Sequence, residues 1–203
     1  MEYNYSERFI GINAGTKPPG NNPHTVLEKV RKLGLASEAI LPFDQDLLNS
    51  VEEYYSFKGG DQNLCQADGY KFITDYEIQH EWVIPPTQET IASQLKFSPI
   101  ALSVTAWYEQ DGLYVDNGQP NSHWVLCFKA EKVPEGYILH VFDSYEPKIK
   151  KIHPDHKIQF AKRISILNKK KVIQEIQEYK ATSPNPFLQI IKRIWTIVSS
   201  YWR

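Results

Sequence analysis

Residues 119–130, QPNSHWVLCFKA, place His123 and Cys127 four positions apart on an apolar stretch. A histidine and a cysteine are the two side chains that thiol chemistry uses, so the local geometry decides whether they act together. Trp124 precedes VLCF and a second apolar run, YILHVF, follows about ten residues on. The stretch therefore reads as a buried strand within a β-rich segment. On a strand, residues i and i+4 share a face but stand about 13 Å apart, at roughly 3.3 Å per residue. A nucleophile and its base must meet within about 3 Å. His123 and Cys127 are not a pair, and the histidine needs another explanation.

Outward from this strand, the chain changes character twice. PIALSVTAWY, HWVLCFKA, YILHVF, KIKKIH and KIQFAKRISIL are short runs rich in β-branched and aromatic residues, separated by turn signals such as DNGQ and PEG. Before them, PHTVLEKVRKLGL repeats apolar residues at helical spacing with Gly34 placed to cap, and LLNSVEEYY suggests a short helix ahead of Gly59-Gly60. LCQADGYKFITD, residues 64–75, fits helix or loop. TQETIASQL opens at Thr87 as an amphipathic helix, with Glu89 close to a capping-box position. Helices followed by clustered strands predict an α+β protein with an antiparallel sheet or barrel over roughly 76–168.

From Lys169 onward the sequence is helical again, ending in FLQIIKRIWTIVSSYWR. Ile190, Ile191, Ile194, Trp195, Val198 and Trp202 fall on one helical face, with Lys192, Arg193, Ser199 and Arg203 largely opposite. That amphipathic pattern over 186–203 fits a helix docked on its own domain or a partner, or one lying at a membrane surface.

Composition excludes several classes. The 203 residues are enough for one domain or two small lobes, with 41% hydrophobic and 23% charged residues, as in ordinary soluble proteins. A net charge of −1 gives no overall attraction to nucleic acid. The N-terminus lacks the apolar core of a signal peptide, and no run of 18 apolar residues encodes a membrane span. The expectation is a soluble or peripheral protein, its compartment open. Cys65 and Cys127 are the 2 cysteines, without metal-type spacing, and fit either one disulfide or two reduced thiols. IHPDH, with His153, Asp155 and His156, is a weak metal-ligand pattern better read as a solvated turn; no metal or cofactor is expected.

The order of motifs is more informative than any one of them. NSHWVL, followed about twenty residues later by FDSYEP, resembles the histidine strand and the Asn-Ser-Trp-Gly-Pro strand of the papain-like cysteine peptidases. SPIALSVTAW followed by Gly112-Leu113-Tyr114 resembles the strand and turn ahead of that histidine. YSERFI, then GNNPHTVLEKVRKLGLASEAILPF, is similar to the family's Leu-Ser-Glu-Gln segment and the helix after its Gly-Gly pair. The resemblance covers about residues 5–167. It implies a helical left lobe over 5–75, incomplete for want of the nucleophile helix, a β-barrel-like right lobe over 76–168, and a helical tail over 169–203.

The resemblance also implies roles. His123 would be the general acid/base, and Asp143 would orient it where the family usually has Asn. Tyr145 stands in place of a shielding Trp. Gly20 matches the first glycine of the substrate-pairing Gly-Gly, Asn21 replaces the second, and Val104 is a candidate wall of the pocket for an apolar side chain. The partner would be an extended peptide or protein. The family's cysteine precedes its histidine by roughly 130–150 residues, which would put the nucleophile roughly 10–30 residues before Met1. Cys65 comes too late to match it. The expectation is a thiol-dependent peptide hydrolase lacking its nucleophile segment and inactive alone. The alternative is a non-catalytic protein that binds a peptide in its cleft or docks through 186–203. A histidine beside Trp124 packed in a core, and Asp143-Ser144 opening a turn, are the plain structural readings of the same residues.

Overall fold

A computed structural model describes residues 4–18, 20–144 and 148–182. The tail over 186–203 and Tyr145 lie outside the described residues. The chain divides into two compact units. The first comprises residues 1–79 and 166–183, and the second is built on 80–165.

In the first unit, α1 (Glu7–Ala14) starts at Ser6, whose hydroxyl oxygen accepts the Phe9 N–H, and stops at Gly15 with φ 66°. The Ser6 hydroxyl also donates to the Leu41 carbonyl at 2.6 Å. Helix α2 (Pro23–Leu33) is capped by Asn22 and ends at Gly34 as the sequence predicts. Gly34 is required by close approach as well as by its φ of 76°, because a Cβ there would lie 2.0 Å from the Gly69 carbonyl oxygen. Gly69 belongs to α4 (Gln62–Asp75), which settles the ambiguous 64–75 stretch as helix, with Asp61 accepting from the Asn63 and Leu64 N–H groups. The helix expected around LLNSVEEYY is broken at Ser50. That residue is extended, and its hydroxyl takes the Glu53 N–H, which separates a 3-10 turn (Gln45–Asn49) from α3 (Val51–Tyr54). Phe9, Ala36, Leu41 and Cys65 form the small core, with Ile12, Ile40 and Phe57 against it. After the last strand, α6 (Lys169–Thr182) is held to this unit by Lys169 Nζ on the Ile73 carbonyl at 2.7 Å and by Lys170 on Asp75 at 2.6 Å.

Eight strands form one sheet: β1 (Tyr76–Trp82), β2 (Ile100–Val104), β3 (Glu109–Gln110), β4 (Leu113–Tyr114), β5 (His123–Val133), β6 (Gly136–Phe142), β7 (Ile149–Ile152) and β8 (Ala161–Asn168). Their spatial order is β1-β8-β2-β5-β6-β7-β4-β3. The sheet is mostly antiparallel, as expected, with the short β4–β7 pair running parallel. Asp111 and Gly112, with φ of 52° and 77°, make the tight β3–β4 turn. Helix α5 (Gln88–Gln94) starts at Thr87, which accepts the Thr90 N–H. Glu89 is one position short of a capping box. The core of the second unit includes Ile91, Ile100, Leu102, Val104, Val125, Cys127, Leu139, Val141 and Ile152. Among the described residues, no helix is long and apolar enough to cross a membrane.

One buried side chain organises the first unit's loops. Arg8, 1% exposed, donates from Nε to the Tyr54 carbonyl at 3.0 Å and from Nη1 to that of Pro42 at 2.9 Å. Its Nη2 reaches the carbonyls of Ser56 and Lys58, each at 2.8 Å. A guanidinium spans four acceptors with a fixed fork that an ammonium cannot reproduce. Arg8→Lys should therefore lower unfolding stability by about 2–4 kcal/mol, read as a shift in the urea midpoint; an unchanged midpoint would show the four carbonyls to be satisfied without the fork.

Candidate active site

Strand β5 alternates as the sequence requires: His123, Val125 and Cys127 are buried, while Leu126 between them is 39% exposed. Its first residue is held from two sides. Val104 stands opposite His123 in the β2–β5 register, and the Ser122 N–H donates to the Val104 carbonyl at 3.0 Å. In the loop leading in, Asn121 Nδ2 donates to the Ser103 carbonyl at 2.6 Å, and the Thr105 hydroxyl bonds the Gln119 carbonyl at 3.0 Å. The histidine is thus fixed by backbone and amide bonds before its own ring makes any.

Asp143 follows the last residue of β6, the strand beside β5. Its Oδ1 lies 2.6 Å from His123 Nε2, with the carboxylate's side chain fully buried and the histidine's 9% exposed. The two residues singled out by sequence are brought together. A short bond between an imidazole and a carboxylate fixes ring orientation and tautomer, and here it engages Nε2.

Three further residues complete the cluster: Lys150, which sequence reading missed, and Trp107 and Tyr114, which it quoted in motifs without a role in the site. Lys150, on β7 and 2% exposed, bonds Asp143 Oδ2 through Nζ. The same ammonium lies 4.7 Å from the Trp107 ring centroid and 5.5 Å from that of Tyr114. Trp107 in turn meets the His123 ring edge-on at 6.0 Å and Tyr114 at 4.9 Å. Trp107 thus gives the imidazole an aromatic neighbour from the loop after β2.

The other sequence-derived positions lie in differing surroundings. Val104 is fully buried in the core of the second unit. Gly20, in the first unit, has φ 147° and donates its N–H to the Lys17 carbonyl at 2.7 Å. Asn21 turns its amide onto its own loop, Nδ2 donating to the Ala14 carbonyl at 2.9 Å and to Thr16 Oγ1 at 3.2 Å. Its backbone does not need the positive φ that would make glycine obligatory. Both cysteines are free and buried. Burial pushes the Cys127 thiol up to about 12, and burial followed by the nearby Asp61 and Asp68 carboxylates raises that of Cys65. Neither has the electropositive setting of a reactive thiol.

The IHPDH turn serves structure. His156, 2% exposed, accepts the Thr105 N–H on Nε2 at 3.3 Å, and His153 Nδ1 accepts the Asp155 N–H at 3.1 Å. Among the described residues no group of three or more metal-ligating side chains converges. Burial holds His156 below the ordinary imidazole value of 6.5, against the opposing pull of Asp116. The unfolded chain then takes up a proton that the folded chain resists, so stability is lost as pH falls below 6.5 and is unaffected above it. The urea midpoint should drop between pH 7.5 and 5.5, and drop less in His156→Gln; equal drops would place the titration elsewhere.

No protein-family model matches the sequence, and no curated protein matches it either. Solved structures do. Bromelain from Ananas comosus, in complex with the E64 inhibitor, aligns with a TM-score of 0.54 at 15% identity, over 81% of this chain and 79% of its own. The ragweed pollen cysteine protease Amb a 11, in its proform, gives 0.52 at 14% identity over 82% of this chain and 53% of its own. A chain from work on the mite allergens Blo t 1 and Der p 1 gives 0.55 at 9% identity, over 81% and 57%. This chain therefore spans about four-fifths of bromelain and little more than half of the other two. At such identities the likeness is one of architecture: the chain shares the fold of the papain-like cysteine proteases.

Proposed function

We propose that the chain carries the histidine–carboxylate half of a thiol-dependent peptide hydrolase, and that the attacking thiol comes from outside these 203 residues. The observation that carries this reading is the buried 2.6 Å bond between His123 Nε2 and Asp143 Oδ1, in a chain that shares the fold of the papain-like cysteine proteases. In the reaction, His123 Nδ1 takes the thiol proton, and the thiolate attacks the scissile carbonyl carbon of an extended peptide. The tetrahedral intermediate collapses to a thioester as the imidazolium returns the proton to the leaving amine. Water, deprotonated by the same ring, then releases the acid and restores the thiol. Asp143 holds the ring through these steps. Gly20 and Asn21 keep the substrate-contact role that the resemblance gives them, while Val104, with no exposed surface, backs His123 from within the core and offers a substrate no contact.

The chain's own thiols do not serve. Cys127 lies about 13 Å along the strand from His123, inside the core, and Cys65 is fully buried. That observation also favours a second reading, a non-catalytic protein whose cleft holds an extended peptide or whose residues 186–203 dock on a partner or membrane surface.

Two measurements separate them. Iodoacetamide at neutral pH should leave both cysteines of the native chain unmodified and label both after unfolding, Cys127 being slowed on the order of 10³-fold by its thiolate population; rapid native labelling of either would return a nucleophile to this chain. The coding DNA should then be read in frame for about 60 codons upstream of Met1 and the longer polypeptide expressed. A cysteine opening an apolar helix there predicts thiol-dependent hydrolysis, reduced by about 10³-fold in His123→Ala. A stop codon or unrelated sequence there leaves the binding reading.

A further inference from the structure

We propose that Lys150 is a positioning residue that sets the proton affinity of His123 by neutralising Asp143. This role rests on the reading of His123 as the acid–base group. Asp143 divides its two oxygens between two bases: Oδ1 goes to His123 Nε2 at 2.6 Å, and Oδ2 to Lys150 Nζ. Both the carboxylate and the ammonium are withdrawn from water, with side-chain exposures of 0% and 2%. The ammonium cannot drift away from its partner, because Ile149 and Ile152 pair in register with Phe142 and Leu139 of β6 and the Trp107 ring lies 4.7 Å from Nζ.

An uncompensated negative charge buried against Nε2 would favour the protonated ring. A ring already protonated cannot take a proton from a thiol. The ammonium on its second oxygen offsets the carboxylate's charge, which brings the acceptor nearer in polarity to the amide that the resemblance would place here. Lys150 therefore compensates for Asp143.

The groups around the carboxylate, among the described residues, come from several strands. His123 projects from β5, Lys150 from β7 and Tyr114 from β4, while β2 contributes the apolar Val104. His156, with Asp116 behind it, bonds the Thr105 backbone in the same unit. Lys150 pairs directly with the second carboxylate oxygen.

The test is an NMR titration of the His123 ring in the full 203-residue chain, beside Lys150→Met, Lys150→Arg and the double variant Asp143→Asn/Lys150→Met. Lys150→Met should raise the ring's proton affinity about tenfold or more over the unsubstituted chain. Lys150→Arg, which keeps the charge, and the double variant, which buries no unpaired charge, should both stay within about threefold. A Lys150→Met ring that titrates within about threefold of the unsubstituted chain overturns the role. Should Lys150→Met not fold, the double variant decides: a titration about tenfold away from the unsubstituted chain overturns the compensation, and agreement supports it. No thiol or substrate enters this measurement. A longer polypeptide that fails to hydrolyse peptides would sink the hydrolase reading while leaving the titration result intact, and the reverse holds equally.

Discussion

A carboxylate with no exposed surface must find its counter-charge inside the protein, and Asp143 finds it in two places. The cost of burying an ion is several kcal/mol, so both oxygens need partners held by the fold rather than by chance. This requirement ties three strands together at one end of the sheet. Strand β5 supplies the imidazole, β6 delivers the carboxylate, and β7 must pair with β6 in a register that turns Lys150 inward. Trp107 and Tyr114 then close over the ammonium. Without the ion cluster, the inward face of β7 would hold an unpaired charge against Val141 and Ile152.

The first unit solves a similar problem by different means. Its core is small, and the segment between residues 42 and 58 is broken into a 3-10 turn and one short helix. Arg8 collects four of its carbonyls on one guanidinium, so a side chain on α1 ties these pieces together alongside their own hydrogen bonds. The Gly34–Gly69 approach shows the same economy, since two glycines let backbones touch where apolar side chains would otherwise be needed to fill the gap.

Much of this was legible in the sequence because it follows from periodicity. The alternation of HWVLC put His123 on the inner face, and Gly34 and Thr87 marked helix ends correctly. The 64–75 stretch was ambiguous because its apolar face is weak, and helix formation there depends on the Asp61 cap and on contact with α2. The broken 45–54 helix was misread because Ser50 competes for a backbone N–H, which a hydrophobic pattern does not register. Lys150 was hidden for a different reason. In IKKI the two lysines are equivalent as a pattern, and pairing to β6 decides which one is buried. Trp107 lies past the end of β2, where no period constrains it, and nothing in the pattern around Arg8, beside Glu7, marks it as buried.

Strand β5 also carries an irregularity against β6, where pairing steps from Cys127–Val141 to Lys129–His140 and leaves Phe128 without a cross-strand partner. Beyond it the inward phase changes from odd to even residues, so that Ala130 joins the core with Cys127, Val125 and His123. The strand therefore contains one residue more than a regular ladder would accept. At such a place a hairpin accommodates an extra residue without turning the histidine to the outer face. The two ends of the strand are thereby uncoupled: the turn at 134–135 can vary in its demands on register while the end bearing His123 keeps its side.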